Sequence, residues 1–349
     1  MRLTPTRLLL SLAATLALAA CGGPDAVRAD PPPAVRAAPV TVPPVKVGIA
    51  LGGGAVKGFA HIGVIKMLEA NGVQPVVVAG TSAGSVVGAL YASGMDAFAM
   101  QKQAFALDEE SIRDVSLFSG GVVKGQKLQD YVNQLVGQRR LEAMKRPLAV
   151  VATRLEDGRR TVFRRGNTGQ AVRASSSIPG VFEPVRIGAS TYVDGGVVSP
   201  VPVDAARELG ADFVIAVDIS SKASGKSPGS LLGNVNQSIT IMGQKLGALE
   251  LARADAVIRP AVLDIGAADF ELKNDAILEG ERAALAALPQ IKAKIAALQR
   301  QRQAAAQAKA DAAAAEAART RAARAKAACE AQQGRVGKLL GRDPDCGDR

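Results

Sequence analysis

Residues 45–94 read VKVGIALGGGAVKGFAHIGVIKMLEANGVQPVVVAGTSAGSVVGALYASG, and they decide the fold. The order is an apolar strand, a glycine loop, a helix, a second apolar strand, a sharp turn and another helix. The turn is Gly80-Thr81-Ser82-Ala83-Gly84. A G-x-S-x-G turn between a strand and a helix is typical of a nucleophile elbow, which holds its serine exposed on a strained backbone. The two glycines let strand and helix pass close to Ser82.

The glycine loop Gly52-Gly53-Gly54 opens the first helix, so its backbone N–H groups form an anion site. Three interpretations compete for it. A dinucleotide fingerprint requires glycine where Lys57 stands, and a phosphate loop requires Lys-Ser/Thr where Phe59-Ala60 stands. The third is an oxyanion hole facing Ser82, because adjacent parallel strands end at one edge of the sheet. Local sequence favours the third.

His61 is the single histidine of the chain and therefore the only one that could complete a serine triad. It lies about two turns into the first helix, roughly 10 Å from the glycine loop at 1.5 Å per residue. No histidine follows Ser82, so the order serine, acid, histidine is also broken. We interpret His61 as structural, which leaves a carboxylate or a lysine as the base for Ser82.

A second block lies downstream, where Asp194-Gly195-Gly196 follows a short strand. By itself this tripeptide is ordinary turn chemistry. The segment Arg173–Pro179 (RASSSIP) precedes it.

Taken together, these motifs resemble the patatin-like phospholipase family. Gly52–Gly58 resembles its glycine loop G-x-G-x-x-[KR]-G, and Gly80–Gly84 resembles its serine motif. Arg173–Pro179 resembles its R-A-S-x-S-x-P block, and Asp194–Gly196 its D-G-[GA] motif. The four blocks stand in the family order, and the similarity extends from about Val47 to about Leu298.

The resemblance implies a serine–aspartate dyad with no histidine. Ser82 would be the nucleophile and Asp194 the general base, while backbone N–H groups of Gly52, Gly53 and Gly54 would hold the oxyanion. Lys57 would attract a phosphate headgroup or support the loop, and both roles stay open. No cofactor or metal is expected, since one histidine and no acidic cluster offer no metal site.

The fold implied by the resemblance is α/β, a three-layer α/β/α sandwich with a mainly parallel central sheet. Buried strands at Leu148–Thr153 and Phe213–Asp218, with a helix at Val203–Leu209 before the second, agree with it. The helical pattern Ala276–Leu298 is expected to close the domain. An Ala-rich basic tail, residues 299–349, is expected to be helical or partly disordered.

Net charge is +11, but residues 290–349 contribute +7 of it, from 13 Lys and Arg against 6 Asp and Glu. That stretch contains no aromatic residue, whereas single-stranded nucleic-acid sites interleave aromatic and basic side chains. We therefore exclude nucleic acid as a partner. Cys329 and Cys346 also lie in the tail, where a disulfide between them is an open question.

Residues 1–20 read as a signal peptide, with Arg2 and Arg7 ahead of the apolar run Leu8–Ala20. The following Leu18-Ala19-Ala20-Cys21 resembles the lipobox of bacterial lipoproteins, which implies cleavage before Cys21 and its acylation. Residues 21–44 are proline-rich and predict an extended tether, and residues 45–298 form the predicted catalytic domain. The expected location is the outer membrane, facing the periplasm.

The sequence thus predicts a lipid-anchored serine acyl hydrolase acting on phospholipid or another acyl ester. One alternative is a thioesterase or acyltransferase with the same dyad. The other is a lipoprotein that binds lipid without turnover.

Overall fold

The computed structural model describes residues 36–107, 114, 123–223, 225, 227 and 229–340. These residues belong to two compact units, of which the larger is Val40–Ala306. It extends beyond the predicted catalytic domain at both ends. The predicted signal peptide, Cys21 and Cys346 lie outside the described residues, so cleavage, acylation and the disulfide stay predictions.

Eight strands of the described chain form one sheet: β1 (Val47–Leu51), β2 (Val77–Thr81), β3 (Leu148–Arg154), β4 (Arg160–Phe163), β5 (Val185–Ile187), β6 (Ser190–Asp194), β7 (Phe213–Val217) and β8 (Ala256–Ile258). The helices are α1 (Ala60–Ala70), α2 (Ala83–Ala92), α3 (Ala97–Ala106), α4 (Gln126–Leu135), α5 (Thr168–Ser175), α6 (Val203–Glu208), α7 (Leu231–Leu251) and α8 (Lys273–Leu340). A 3₁₀ turn at Ala55–Phe59 leads into α1, where the sequence predicted one continuous helix.

The sheet is mainly parallel, as predicted. Strands β3, β2, β1, β7 and β8 are hydrogen-bonded in that order and run parallel. Strands β4 and β6 both pair antiparallel with β3, and β5 pairs antiparallel with β6. The parallel centre follows from strand–helix–strand crossovers, which require a helix between successive strands.

Helices cover both faces of the sheet, which gives the predicted three layers. On one face Ile49, Leu51 and Ile215 pack in a core that includes buried residues of α1, α2 and α8. On the other face Ala50 and Ala216 pack with α6. Because successive strand residues point to opposite faces, β1 and β7 bury large side chains on the first face and mostly small ones on the second.

The C-terminal helix closes this unit, as predicted for residues 276–298. Its residues Ile277, Leu288 and Ile291 are buried in the core. About two turns after Ile291, Gln299 Oε1 accepts a hydrogen bond from the Val45 N–H at 2.9 Å. Gln303 Oε1 likewise accepts from the Val42 N–H at 3.4 Å. Val42, near the end of the segment predicted to be a tether, is therefore bonded to α8, as is Val45 at the predicted start of the catalytic domain.

The second compact unit comprises residues 1–39 and 307–349, of which residues 36–39 and 307–340 are described. In it, Asp311 Oδ1 accepts hydrogen bonds from the Ala37 N–H at 2.8 Å and from Gln307 Nε2 at 3.0 Å. The helical form of the predicted tail is confirmed through residue 340. Across the described ranges, no helix combines the length and apolarity that a membrane span requires.

Candidate active site

Ser82 occupies a strained turn between β2 and α2. Its φ is +53° and its ψ is −124°, a conformation that non-glycine residues adopt only where the surroundings enforce it. The Ser82 N–H donates to Ser175 Oγ at 2.9 Å, and Ser175 Oγ donates to the Val151 carbonyl at 2.5 Å. A Cβ at Gly84 would lie 2.1 Å from a β1 carbonyl oxygen, so only glycine fits there. The elbow predicted from the sequence is present.

Asp194 lies next to Ser82 because β2 and β6 meet end to end along one edge of β3. Val150 and Val151 pair with both β2 and β4, so β2 and β4 lie on opposite edges of β3. Ala152 pairs with both β4 and β6, so β6 shares the edge of β2. Since β6 runs antiparallel to β3, its C-terminal residue Asp194 faces the C-terminal end of β2. Ser82 follows that end directly.

The two side chains are hydrogen-bonded. Ser82 Oγ donates to Asp194 Oδ2 at 2.6 Å, while Oδ1 accepts from the Gly196 N–H at 2.6 Å. Asp194 is only 6% exposed, and this burial raises its pKa to about 6, against the lowering effect of the Ser82 and Gly196 hydrogen bonds. A carboxylate with this pKa is ionised at neutral pH and is a stronger base than an ordinary aspartate.

The loop after Asp194 supports the elbow and the glycine loop. The carbonyl oxygen of Ser199 accepts from Thr81 Oγ1 at 2.8 Å, and the carbonyl oxygen of Pro200 accepts from the Gly53 N–H at 3.0 Å. Thr81, directly before Ser82, and Gly53, in the middle of the glycine loop, thus donate hydrogen bonds to the carbonyl oxygens of two consecutive residues. Sequence reasoning did not find this loop, because backbone carbonyls leave no residue signature.

Not all of the backbone N–H groups that the sequence predicted as oxyanion donors are free in the glycine loop. The N–H of Gly52 donates to the Val217 carbonyl at 3.1 Å, and that of Gly53 donates to Pro200. In the described part of the chain, hydrogen bonds leave the N–H groups of Gly54 and Ala55 unused. Two of the three predicted oxyanion donors are therefore occupied, because β7 and the 199–201 loop bind this side of the backbone.

His61 is fully buried and contacts the glycine loop, so the predicted separation of roughly 10 Å was wrong. That distance treated the residues after the loop as one straight helix, whereas a 3₁₀ turn at Ala55–Phe59 stands between the loop and α1. Its Nε2 is 2.8 Å from the Gly52 carbonyl oxygen, and since a carbonyl only accepts, Nε2 must carry the proton. Burial lowers the pKa of His61 to about 4, so the ring is neutral. This geometry agrees with a structural histidine that holds the loop in place.

Part of this sequence is similar to known proteins. Residues 49–207 match the family model Patatin, described as patatin-like phospholipase, and the match contains Ser82 and Asp194. The chain thus contains a patatin-like phospholipase domain. An uncharacterised NTE family protein of Mycobacterium tuberculosis is 37% identical over 184 residues, covering 52% of this chain and 51% of the relative. Lysophospholipase NTE1 of Pyricularia oryzae is 32% identical over 182 residues, covering 50% and 12%.

The chain spans about half the length of the mycobacterial relatives it matches. Among solved structures, VipD of Legionella pneumophila aligns with a TM-score of 0.42 at 13% identity, covering 72% of this chain and 68% of that one. The type III effector ExoU aligns with a TM-score of 0.42 at 18% identity, covering 85% and 65%.

In this patatin-like domain the Lys57 side chain is bonded to another residue of the chain. Its side chain is buried, and Nζ donates to Ser221 Oγ at 2.5 Å. Burial lowers the pKa of Lys57, and the nearby Asp218 opposes that shift. Of the two roles left open by the sequence, this geometry favours loop support.

A cavity of about 290 Å³ adjoins Ser82 in the patatin-like domain. Most of its lining is apolar and comes from the 3₁₀ turn, α2, α4 and the segments around residues 178–182 and 267–270: Ala55, Val56, Gly58, Phe59, Ser82, Ala83, Val86, Val87, Leu107, Leu128, Tyr131, Ser176, Ile178, Val181, Phe182, Ala267, Ala268 and Phe270. Ligand pockets typically measure about 300–1,000 Å³, so this one is near the lower limit. It is suited to an apolar chain.

Proposed function

We propose that this protein is a serine acyl hydrolase that cleaves an acyl ester of phospholipid or another lipid with a Ser82–Asp194 dyad. The observation that carries the proposal is the 2.6 Å hydrogen bond from Ser82 Oγ to the buried Asp194 carboxylate. The patatin-like phospholipase domain at residues 49–207 supports lipid hydrolysis in general. The apolar cavity beside Ser82 supports an acyl chain as the group bound there.

In the first step Ser82 Oγ attacks the ester carbonyl carbon while Asp194 accepts the hydroxyl proton. The carbonyl oxygen becomes an oxyanion, for which we assign the N–H groups of Gly54 and Ala55 as donors. They are the unused donors of the glycine loop, and Ala55 lines the cavity with Ser82. Loss of one such donor typically costs about 10²–10³ in rate.

The tetrahedral intermediate collapses by breaking the bond to the alcohol oxygen, and that oxygen takes the proton from Asp194. The acyl group is then esterified to Ser82. A water molecule attacks this ester with Asp194 again accepting the proton, and the proton returns to Ser82 Oγ as the fatty acid leaves. The same carboxylate acts as the base in acylation and in deacylation, because it loses its proton to the leaving alcohol between the two steps.

Substrate identity within this class needs a direct assay. The relative from Pyricularia oryzae is named a lysophospholipase, which makes monoacyl phospholipids a first choice. Diacyl phospholipids and acyl thioesters test the phospholipase and thioesterase alternatives, and an added alcohol acceptor tests acyl transfer. The expected product is free fatty acid from an oxygen ester.

Covalent labelling separates an enzyme from a lipid-binding protein. A fluorophosphonate ester should give one adduct on Ser82, because attack requires both the base and the oxyanion donors. Ser82→Ala and Asp194→Asn should abolish labelling and hydrolysis. A folded wild-type protein that binds lipid but neither labels nor hydrolyses any ester of the panel would refute the proposal and favour binding without turnover.

We also propose that Cys21 is acylated and anchors the protein at the outer membrane, facing the periplasm. The sequence Leu18-Ala19-Ala20-Cys21 after a charged and apolar start motivates this proposal. Intact-mass measurement on membrane-extracted protein should show cleavage before Cys21 and added acyl chains. An unmodified or uncleaved N-terminus in that fraction would contradict it.

A further inference from the structure

Glu250, near the end of α7, is a buried carboxylate that the proposed chemistry does not use. It is 6% exposed, although most of α7 is not buried. Its Oε1 accepts from Ser199 Oγ at 2.5 Å, and its Oε2 accepts from the Val201 N–H at 2.8 Å. Both oxygens are thus committed to one short loop, residues 199–201.

That loop contacts each part of the catalytic centre. The Ser199 carbonyl accepts from Thr81 Oγ1, directly before the nucleophile. The Pro200 carbonyl accepts from the Gly53 N–H in the glycine loop. Asp194 ends β6 five residues before Ser199, and the Ser199 N–H donates to the carbonyl oxygen of Gly195, next to Asp194, at 2.8 Å.

We infer that Glu250 is a positioning residue, which aligns the nucleophile elbow and the glycine loop through its two hydrogen bonds to the 199–201 loop. This inference rests on the proposed hydrolase function. Glu250 is not among the residues that line the cavity, so it acts through the loop and not on the substrate. A displacement of about 1 Å in a catalytic group can cost about 10²-fold in rate, which is why such support matters.

The role depends on hydrogen bonding and not on charge. Burial raises the pKa of Glu250 to about 7, against the hydrogen bonds from Ser199 and Val201 and the positive Arg253, while Asp204 adds to the rise. A protonated Glu250 can still donate to Ser199 Oγ with one oxygen and accept from the Val201 N–H with the other. A glutamine can make the same two bonds with its amide.

The experiment compares Glu250→Gln with Glu250→Leu in the full chain, by fluorophosphonate labelling rate and by kcat and KM on the best ester of the panel. Leucine leaves the Val201 N–H and the Ser199 hydroxyl without their partner, so we expect kcat and labelling to fall about 10²-fold with little change in KM. Glutamine should keep most of the wild-type rate. Ser199→Ala, which removes one of the two bonds, should give an intermediate loss.

Glu69 provides the matched control. It is a partly buried glutamate that accepts from Tyr91 Oη at 2.9 Å, on the far end of α1 from the glycine loop. Glu69→Leu should lower stability in denaturant without lowering the labelling rate of the folded protein. Stability of every variant is measured in parallel, so that unfolding is separated from misalignment.

Two results would overturn the inference. One is a folded Glu250→Leu protein that labels as fast as wild type. The other is a Glu250→Gln loss as large as that of Glu250→Leu, which would assign the role to charge. If Glu250→Leu does not fold, Ser199→Ala provides the test. An unchanged labelling rate in Ser199→Ala would refute the role of the Glu250–Ser199 hydrogen bond in aligning the site. A wild-type protein that never labels refutes the hydrolase proposal instead.

Discussion

Replacement of Asp194 by asparagine should inactivate the protein and stabilise it. The folded-state pKa of Asp194 is about 6, and the ordinary value is 3.8. Because the folded state holds the proton more tightly, unfolding releases a proton between these two pH values. The free energy of unfolding therefore falls as pH rises through this window, by about 1.4 kcal/mol for each unit of pKa difference. Above about pH 7 the buried charge costs about 3 kcal/mol in total.

Asparagine removes that cost and keeps the local bonds. Its amide oxygen can accept from the Gly196 N–H, and its NH₂ group can donate to Ser82 Oγ. We expect the stability gain of Asp194→Asn to approach about 3 kcal/mol near pH 8 and to disappear below about pH 3, where the wild-type carboxyl is protonated in both the folded and the unfolded state. Urea unfolding of the two proteins at several pH values measures it.

Ser82→Ala is the control, because it is also inactive but retains the carboxyl. Ser82→Ala should not show the stability gain of Asp194→Asn near neutral pH, since it removes the hydroxyl that stabilises the Asp194 charge. A difference between Asp194→Asn and wild type that is constant across this pH range, or an asparagine variant less stable than wild type at about pH 8, would refute the buried-base argument.

Three further predictions concern the groups around the dyad. His61→Gln should retain measurable labelling of Ser82, because His61 supports a backbone carbonyl and the dyad supplies the base; an inactive but folded variant would restore a triad. Gly53→Val should suppress labelling, since even a Cβ at Gly53 would lie 3.2 Å from Ser82 Cβ; unchanged labelling kinetics would exclude that close approach. Gly84→Ala should destabilise the protein by about 1–3 kcal/mol or more through its clash with the β1 carbonyl, and an unchanged urea midpoint would contradict it.

Much of the fold was readable from the sequence, because its signals are local. Apolar runs of β-branched residues predicted β1, β2, β3 and β7, and the elbow glycines predicted the turn at Ser82. The 68-residue helix α8 was predicted only as separate segments, because its alanine-rich part lacks an apolar stripe. The hydrogen bonds that Gln299 and Gln303 accept from the chain before β1 were not predicted, since they join residues more than 250 positions apart.

The sequence by itself indicated the candidate groups: a serine in an elbow and a glycine loop at a helix start from local pattern, and the aspartate of Asp194-Gly195-Gly196 through the family resemblance. Only the tertiary structure decided which donors are left free, because the N–H groups of Gly52 and Gly53 are occupied by carbonyls from β7 and the 199–201 loop. It also decided the contact between Ser82 and Asp194, which depends on β2 and β6 meeting along one edge of β3. The role inferred for Glu250 also depends on the tertiary structure, since its burial and its long-range hydrogen bonds cannot be read from the local sequence.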